Sequence, residues 1–387
     1  MRRVAVFARA AVALLALVGP RAAAAPYQDL RHRGARFHGP GVEAEPPDTL
    51  SAVRLGLTDP ERSDEGRQLR QGVELAVREA NAAGGYRGLP YRVVFRPDDG
   101  AWSVVAAQVV RLAHEDEAWA VIAALDGERA HAAELVAAKL WTPVITPGAA
   151  DLTIDYANVP WVFRLMPSDR RQADLLLDAA RRRGIRRLVL VTAGTRDGSL
   201  ANARLHEAAR AAGVAVALQV QFDPYDPEPV VARLVAAAPE ALVIWGAAAP
   251  VALLVRALRA AGVAAPVFVP SQAVAASVAA GGRAMEPVLG AAPFDLLSDR
   301  PEVARFRGSF RQATGQEPTH IAAYGYDAAR LIVSAIEAVG LNRVRICNWL
   351  LAAQGRGVTG QLGFNSLGGS EQEPVLVSLE DGRWAPP

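Results

Sequence analysis

Gly72-Val-Glu-Leu-Ala-Val-Arg-Glu-Ala-Asn81-Ala-Ala-Gly84-Gly85-Tyr-Arg-Gly88 closes the first clear helical repeat of the chain. From Glu65 to Ala82 the residues Leu69, Val73, Ala76, Val77 and Ala80 recur at spacings of three and four, which places them on one apolar stripe. Asn81 to Gly85 should end that helix, because glycine takes the left-handed conformation that a helix C-terminus favours. Before it, Val53 to Thr58 reads as a buried strand; after it, Tyr91 to Phe95 reads as another. The opening unit is therefore strand, helix, strand.

The unit repeats along the chain. Further strands are expected at Ala120–Leu125, Pro143–Thr146 and Trp161–Arg164, with helices at Trp102–Glu117 and Glu128–Leu140. A second series follows. Its strands are expected at Arg187–Thr192, Val214–Gln221, Ala241–Trp245 and Pro266–Val269, and its helices at Asp169–Arg183, Ser199–Ala212, Pro229–Ala237 and Pro250–Ala261. Strand and helix alternating in this way predict an α/β fold of mostly parallel sheets flanked by helices, and two series predict two lobes. Pro301–Ala313 and Ile321–Val339 read as two helices without a strand between them, and short strands are expected near Gln361–Phe364 and Pro374–Leu379. In open sheets of this kind ligands lie beyond the carboxyl ends of the strands. The loops after Thr58, Leu125, Thr146, Thr192, Trp245 and Val269 are thus the places to look for a site.

The 387 residues carry 51% hydrophobic and 21% charged side chains, with a formal net charge of +2. Residues 1–25 stand apart. Arg2 and Arg3 precede a largely apolar run from Val4 to Val18, and Ala22 to Ala25 form a small-residue end, the three regions of a secretory signal peptide. The paired arginines hint at a twin-arginine signal, of which Met-Arg-Arg-Val-Ala-Val-Phe is a poor version. Cleavage would remove four arginines and no acid, leaving 38 basic against 40 acidic residues, so nothing recommends nucleic acid as a partner. No cysteine follows the apolar run, so a lipid anchor is not expected, and the destination read here is the periplasm. Residues 26–52, with Pro40, Pro46 and Pro47, show neither hydrophobic period and read as an irregular arm.

Signatures of catalysis are sparse. The only lysine, Lys139, lies in no phosphate-binding loop and in an ordinary amphipathic pattern. No H-E-x-x-H or G-x-S-x-G is present, and His114, His131, His206 and His320 read as helix-surface residues. Gly355-Arg-Gly-Val-Thr-Gly360 fits G-x-G-x-x-G nominally, yet a helix precedes it and strand-like residues follow, the reverse of a dinucleotide site, so a turn is expected. The single cysteine, Cys347, reads as a small packed residue. No catalytic set, metal site or cofactor is expected.

Several stretches together resemble one family. They are the Gly72–Gly88 segment followed by a strand and Asp98-Asp99, Pro143-Val-Ile-Thr-Pro147-Gly-Ala, Trp161-Val-Phe163-Arg164, Ala260-Ala-Gly262-Val, Tyr324-Gly-Tyr326-Asp327-Ala, and Val358-Thr-Gly360-Gln-Leu-Gly-Phe364-Asn-Ser-Leu-Gly368. In this order and at these intervals, from about Val53 to Trp384, they resemble the leucine/isoleucine/valine-binding protein family, the type I periplasmic solute-binding proteins of ABC transporters. The resemblance implies a two-lobed type I periplasmic-binding-protein fold with three hinge crossings, near Met166–Ser168, Ala292–Asp295 and Gly360–Phe364. Residues 53–165 plus 295–360 would form the first lobe, and 166–294 plus 361–387 the second. It also implies a monomer that takes a small-molecule ligand and an ABC permease in the inner membrane as partners, and that is not an enzyme. A soluble ligand sensor of the same fold and a secreted α/β enzyme are the other readings open at this point.

The resemblance further implies where a ligand would bind. In amino-acid binders of the family a serine-rich loop after the third strand and a threonine after the next hold the ligand carboxylate, and an acid of the second lobe holds its ammonium. This chain has Asp126-Gly127-Glu128 at the first loop, Gly148-Ala149-Ala150-Asp151 at the second, and Gln272 at the acid. Positions of aromatic lids carry Glu65, Asp197 and Ala248, and Trp102 and Trp245 are candidates to stack on a ligand. The implied ligand-binding set is therefore Glu65, Trp102, Asp126, Gly127, Glu128, Gly148, Ala149, Asp151, Asp197, Trp245, Ala248 and Gln272. Ligand carboxylates would meet acids, so a neutral or cationic polar solute is expected in place of a standard branched-chain amino acid. Asp126 and Asp151 could equally be solvated helix caps.

Overall fold

The computed structural model describes residues 41–387 except 48, 61, 99–101, 275–278 and 280. The expected leader, most of the irregular arm and Asp99 lie outside the described residues.

The first series builds a five-stranded parallel sheet in the order β2-β1-β3-β4-β5. Its strands are β1 (Val53–Asp59), β2 (Tyr91–Pro97), β3 (Val121–Ala123), β4 (Val144–Thr146) and β5 (Val162–Arg164). Its connecting helices are α1 (Asp64–Ala82), α2 (Trp102–His114), α3 (Gly127–Leu140) and the short α4 (Thr153–Ala157). The second series begins with α5 (Asp169–Arg182), β6 (Arg187–Ala193), α6 (Arg196–Ala212), β7 (Ala215–Phe222) and α7 (Val231–Ala236). It continues with β8 (Leu242–Trp245), α8 (Ala248–Ala260), β9 (Val267–Val269) and β10 (Val288–Ala292). These five strands run parallel, and β13 (Val375–Glu380) and β14 (Arg383–Ala385) extend the sheet antiparallel beside β10. The strand β10 was not anticipated: Val-Leu-Gly-Ala-Ala is too short and too uniformly apolar to show a period.

The helices α9 (Pro301–Thr314), α10 (His320–Val339) and α11 (Arg343–Ala352) return to the first sheet and share its core. Two glycines let α1 and α10 touch backbone to backbone. A Cβ on Gly72 would lie 2.0 Å from the Ala322 carbonyl oxygen, and one on Gly325 would lie 2.5 Å from that of Leu69. Gly72→Ala should therefore destabilise the chain by about 1–3 kcal/mol, as overpacking does in well-filled cores. Thermal denaturation checks this; an unchanged midpoint would mean that the helices can slide apart freely.

One boundary differs from expectation. The crossing expected near Gly360–Phe364, with the second lobe resuming at 361, falls further on. The hairpin of β11 (Gln354–Gly357) and β12 (Gly360–Gly363) stays with the first core, to which Leu362 and Phe364 belong. Phe364 packs its ring 5.1 Å from that of Phe163, and residues 368–370 lie along the free edge of β5, where the Arg164 N–H donates to Gly368 O. A strand edge takes the next segment that can satisfy its backbone groups, so the chain leaves the first sheet only after Ser370. The same hairpin accounts for the Gly355–Gly360 motif as a turn.

The described part of the arm is fastened to α11. The Asn342 side-chain amide donates to the carbonyls of Gly41, Val42 and Ala44 at 2.8, 3.2 and 2.8 Å.

Candidate functional site

The carboxyl ends of the two sheets meet where α3, the loop after β4 and the start of α6 converge. The α3 N-terminus follows from its cap: Asp126 Oδ1 accepts the Arg129 N–H at 2.8 Å, and Asp126 Oδ2 pairs with the Arg129 guanidinium. Arg129 also approaches Asp98, its Nε 3.3 Å from Oδ1. Asp126 is thus a helix cap already paired with a cation, the plainer of the two sequence readings. Across the junction Thr195 caps α6 in the same manner, taking the Gly198 N–H at 3.1 Å, and this sets Arg196 and Asp197 in its first turn.

Two contacts bridge the lobes there. The Gly127 N–H donates to Asp197 Oδ2 at 3.1 Å, and the Arg196 guanidinium pairs with Asp151 Oδ2 while its Nη2 donates to Thr153 Oγ1 at 3.0 Å. Asp151 is enclosed further. Its Oδ1 accepts both the N–H and the hydroxyl of Thr153 at 2.8 Å, and His131 Nε2 stands 3.3 Å from Oδ2. His131 Nδ1 in turn lies 2.6 Å from Glu134 Oε2. Gly127 fits because it lacks a side chain: a Cβ would lie 2.7 Å from Asp151 Cβ and 2.8 Å from Asp197 Oδ1.

The electrostatics follow this geometry. Burial works against ionisation of Asp151, but the hydrogen bonds from His131, Arg196 and Thr153 outweigh it and hold the carboxyl well below the usual range. Hydrogen bonds to Asp151 and Glu134 raise His131 to about 9. Asp197 goes the other way: loss of water pushes it up to about 6 against the pull of the Gly127 N–H, with Asp126 and Asp151 adding repulsion. Asp169, buried at the start of α5, is likewise pushed up to about 6 by burial and then by Asp151. His131 is therefore an imidazolium at neutral pH, stabilising the fold below about pH 6.5 and ceasing to do so as pH climbs through 9. His131→Gln should destabilise by on the order of 2 kcal/mol at pH 6 and by little at pH 10. Melting curves of both proteins at the two pH values test this, and an equal gap at both would contradict it.

The expected residues divide. Asp126, Gly127, Asp151 and Asp197 converge as described, and Gly148, Ala149 and Ala150 are buried beside them in the loop after β4. Glu65 and Glu128 are exposed in the first turns of α1 and α3, and Trp102 is exposed at the start of α2. Gln272 sits in a single 3-10 turn after β9, its Oε1 buried with no hydrogen-bond partner. Trp245 and Ala248 are buried in the two cores of the second lobe. Alternation along β8 puts Val243 and Trp245 on the face covered by α5 and α6, and Leu242 and Ile244 on the other. His131 and His320 are corrections. His131 belongs to the interlobe cluster, and His320 packs on the Phe294 ring at 5.1 Å with Nε2 3.1 Å from the Phe294 carbonyl oxygen, burial pushing its pKa down to about 4. Cys347 is a packed residue, buried with Sγ 2.9 Å from Pro160 O.

The negative loop expected from Asp126 and Asp151 is thus largely neutralised by Arg129, Arg196 and His131. Sequence reading missed Arg196, His131 and Thr153. A His-x-x-Glu spacing within α3 was visible, but their common target, Asp151, is a tertiary partner. A cavity of about 660 Å³ lies apart from this cluster, between α4, α5 and the segment 365–374, and Arg164 and Arg171 on its wall are already engaged by Asp155 and Glu373.

Two open, helix-flanked sheets meeting at their carboxyl ends define a class of clamshell binding proteins, and the chain belongs to the periplasmic binding protein family, whose model matches residues 53–369. It is similar in structure to LivJ, the branched-chain amino acid transporter substrate-binding protein from Streptococcus pneumoniae, solved in complex with isoleucine. The TM-score is 0.79 and the identity 19% over 86% of this chain and 97% of that one. It is also similar to the leucine-binding protein LivK from Thermotoga maritima, with TM-score 0.78 and 20% identity over 86% and 97% of the two chains. A solute-binding protein of an ABC transporter from R. palustris, solved in complex with benzoate, gives TM-score 0.77 and 21% identity over 86% and 95%. No curated protein matches the chain in sequence.

Proposed function

We propose that this chain is an extracytoplasmic solute-binding protein that closes its two lobes over a small organic solute and delivers it, unaltered, to an ABC permease. The observation that carries the reading is the meeting of the two carboxyl edges through Gly127–Asp197 and Arg196–Asp151, contacts that a hinged closure makes and an opening breaks. In this reading residues 1–25 direct export, the mature protein works as a monomer in the periplasm, and no chemistry is done on the solute. Family membership and likeness to binders of amino acids and aromatic acids support it. No helix among the described residues is long and apolar enough to cross a membrane.

The ligand is a neutral or cationic polar solute and not a standard branched-chain amino acid. Gln272 offers an amide where an ammonium would call for an acid, and Ala150 offers no hydroxyl. Isothermal titration with amino acids, amides, polyamines and aromatic acids, paired with small-angle scattering, tests the reading. One compound should bind and shrink the radius of gyration, whereas tight leucine or valine binding would refute the ligand class.

A further inference from the structure

The amino end of a helix is a ready seat for an anion, since its first N–H groups lack partners and the helix dipole favours negative charge. At the amino end of α3 that seat is taken from within the molecule. Asp197, on the opposite lobe, brings Oδ2 to 3.1 Å from the Gly127 N–H, and Gly127 leaves room for it by lacking a Cβ. The other oxygen, Asp197 Oδ1, is buried with no hydrogen-bond partner, its nearest cation being Arg196 Nη1 at 3.7 Å. Gln272 Oε1, from the second lobe as well, is likewise a buried acceptor without a donor.

We propose that Asp197 is a specificity-determining residue: it is a built-in carboxylate that fills the anion seat of the cleft, excludes ligands bearing a carboxylate there, and leaves Oδ1 to accept a hydrogen bond from a donor-bearing neutral or cationic ligand. This rests on the solute-binding reading above and adds to it the residue that enforces the ligand class. The physical reason is direct. A ligand carboxylate entering the seat must either displace Asp197 or share one N–H with a like charge, while the nearby cations Arg129, Arg196 and His131 are already engaged by Asp126 and Asp151. A donor group meets the opposite situation, since a buried acceptor without a partner favours whatever can satisfy it.

Wild type, Asp197→Ala and Asp197→Asn should be titrated with benzoate and with leucine, with circular dichroism melts confirming that each variant is folded. Asp197→Asn keeps the shape and removes the charge. The expected result is at least tenfold tighter uptake of benzoate, leucine or both by Asp197→Ala than by wild type, with Asp197→Asn shifted in the same direction. Equal affinities in wild type and Asp197→Ala, including no binding by either, overturn the proposal. If equality comes while another compound of the panel closes the wild type, the solute-binding reading stands and only the role of Asp197 falls. If no compound closes any form, both fall.

Discussion

Arg164→Met should destabilise the protein by about 3–5 kcal/mol, the usual consequence of stripping one partner from a buried ion pair. Arg164 and Asp155 are among the most deeply buried charges described, 1% and 2% exposed. Nε and Nη2 donate to the two Asp155 oxygens at 2.8 and 2.7 Å in a two-pronged pair, and Nη1 caps the Met166 carbonyl. Methionine fills the stem volume but leaves a carboxylate in a dry environment and frees a carbonyl at the point where the chain leaves the first sheet. At roughly 2–4 °C per kcal/mol for a unit of this size, the melting midpoint should fall by roughly 10 °C. The double variant Arg164→Met with Asp155→Leu should recover most of the loss, because the charge that had no partner is gone as well. A single variant that melts with the wild type would show that water reaches Asp155 and that the pair is not buried in solution.

Gly127→Ala should open the molecule. The added Cβ would stand 2.7 Å from Asp151 Cβ and 2.9 Å from Asp151 Oδ2, with Asp197 Oδ1 at 2.8 Å. Asp151 is held on three sides by Thr153, His131 and Arg196 and cannot simply turn aside, so the methyl group is accommodated only by shifting the start of α3 or Asp197, and either shift breaks the Gly127–Asp197 bridge between the lobes. An overpacking penalty of about 1–3 kcal/mol shifts a two-state closure by roughly fivefold to 150-fold. In the presence of the compound that shrinks the wild type, the variant should keep the larger radius of gyration of the open form in small-angle scattering, with the lobes themselves intact by circular dichroism. Identical scattering curves would mean that the junction absorbs the methyl group by some local shift and that Gly127 does not control closure.

The sequence was legible wherever one face of an element was buried. The α1 stripe from Leu69 to Ala80 and the β1 run gave their elements nearly to the residue, because period and burial coincide there. The alternation of the two series was enough for two open sheets. What escaped had no period to display: β10 is five consecutive buried residues, and α4 has five residues in all. The site was legible in part. Loop positions at strand ends could be picked out, and a capping role for Asp126 was one of the two readings its place before a helix left open. The partners of Asp151 could not be, since Arg196 is 45 positions away and becomes a neighbour only once the second sheet is laid against the first. Trp245 shows the same limit, as the end of a strand can be either the rim of a cleft or the last layer of a core.

One backbone contact at the first crossing has a mechanical meaning. The Asp169 N–H, at the head of α5, donates to the Ala150 carbonyl at 2.8 Å, directly before Asp151 in the chain. The head of α5 and the loop after β4 are therefore tied by one backbone hydrogen bond, so any swing of one half about this crossing pulls directly on that loop. In the reading proposed above, capture and posture then become a single event, and a partner docking on the outside would sense occupancy from the attitude of the two halves without touching the molecule inside.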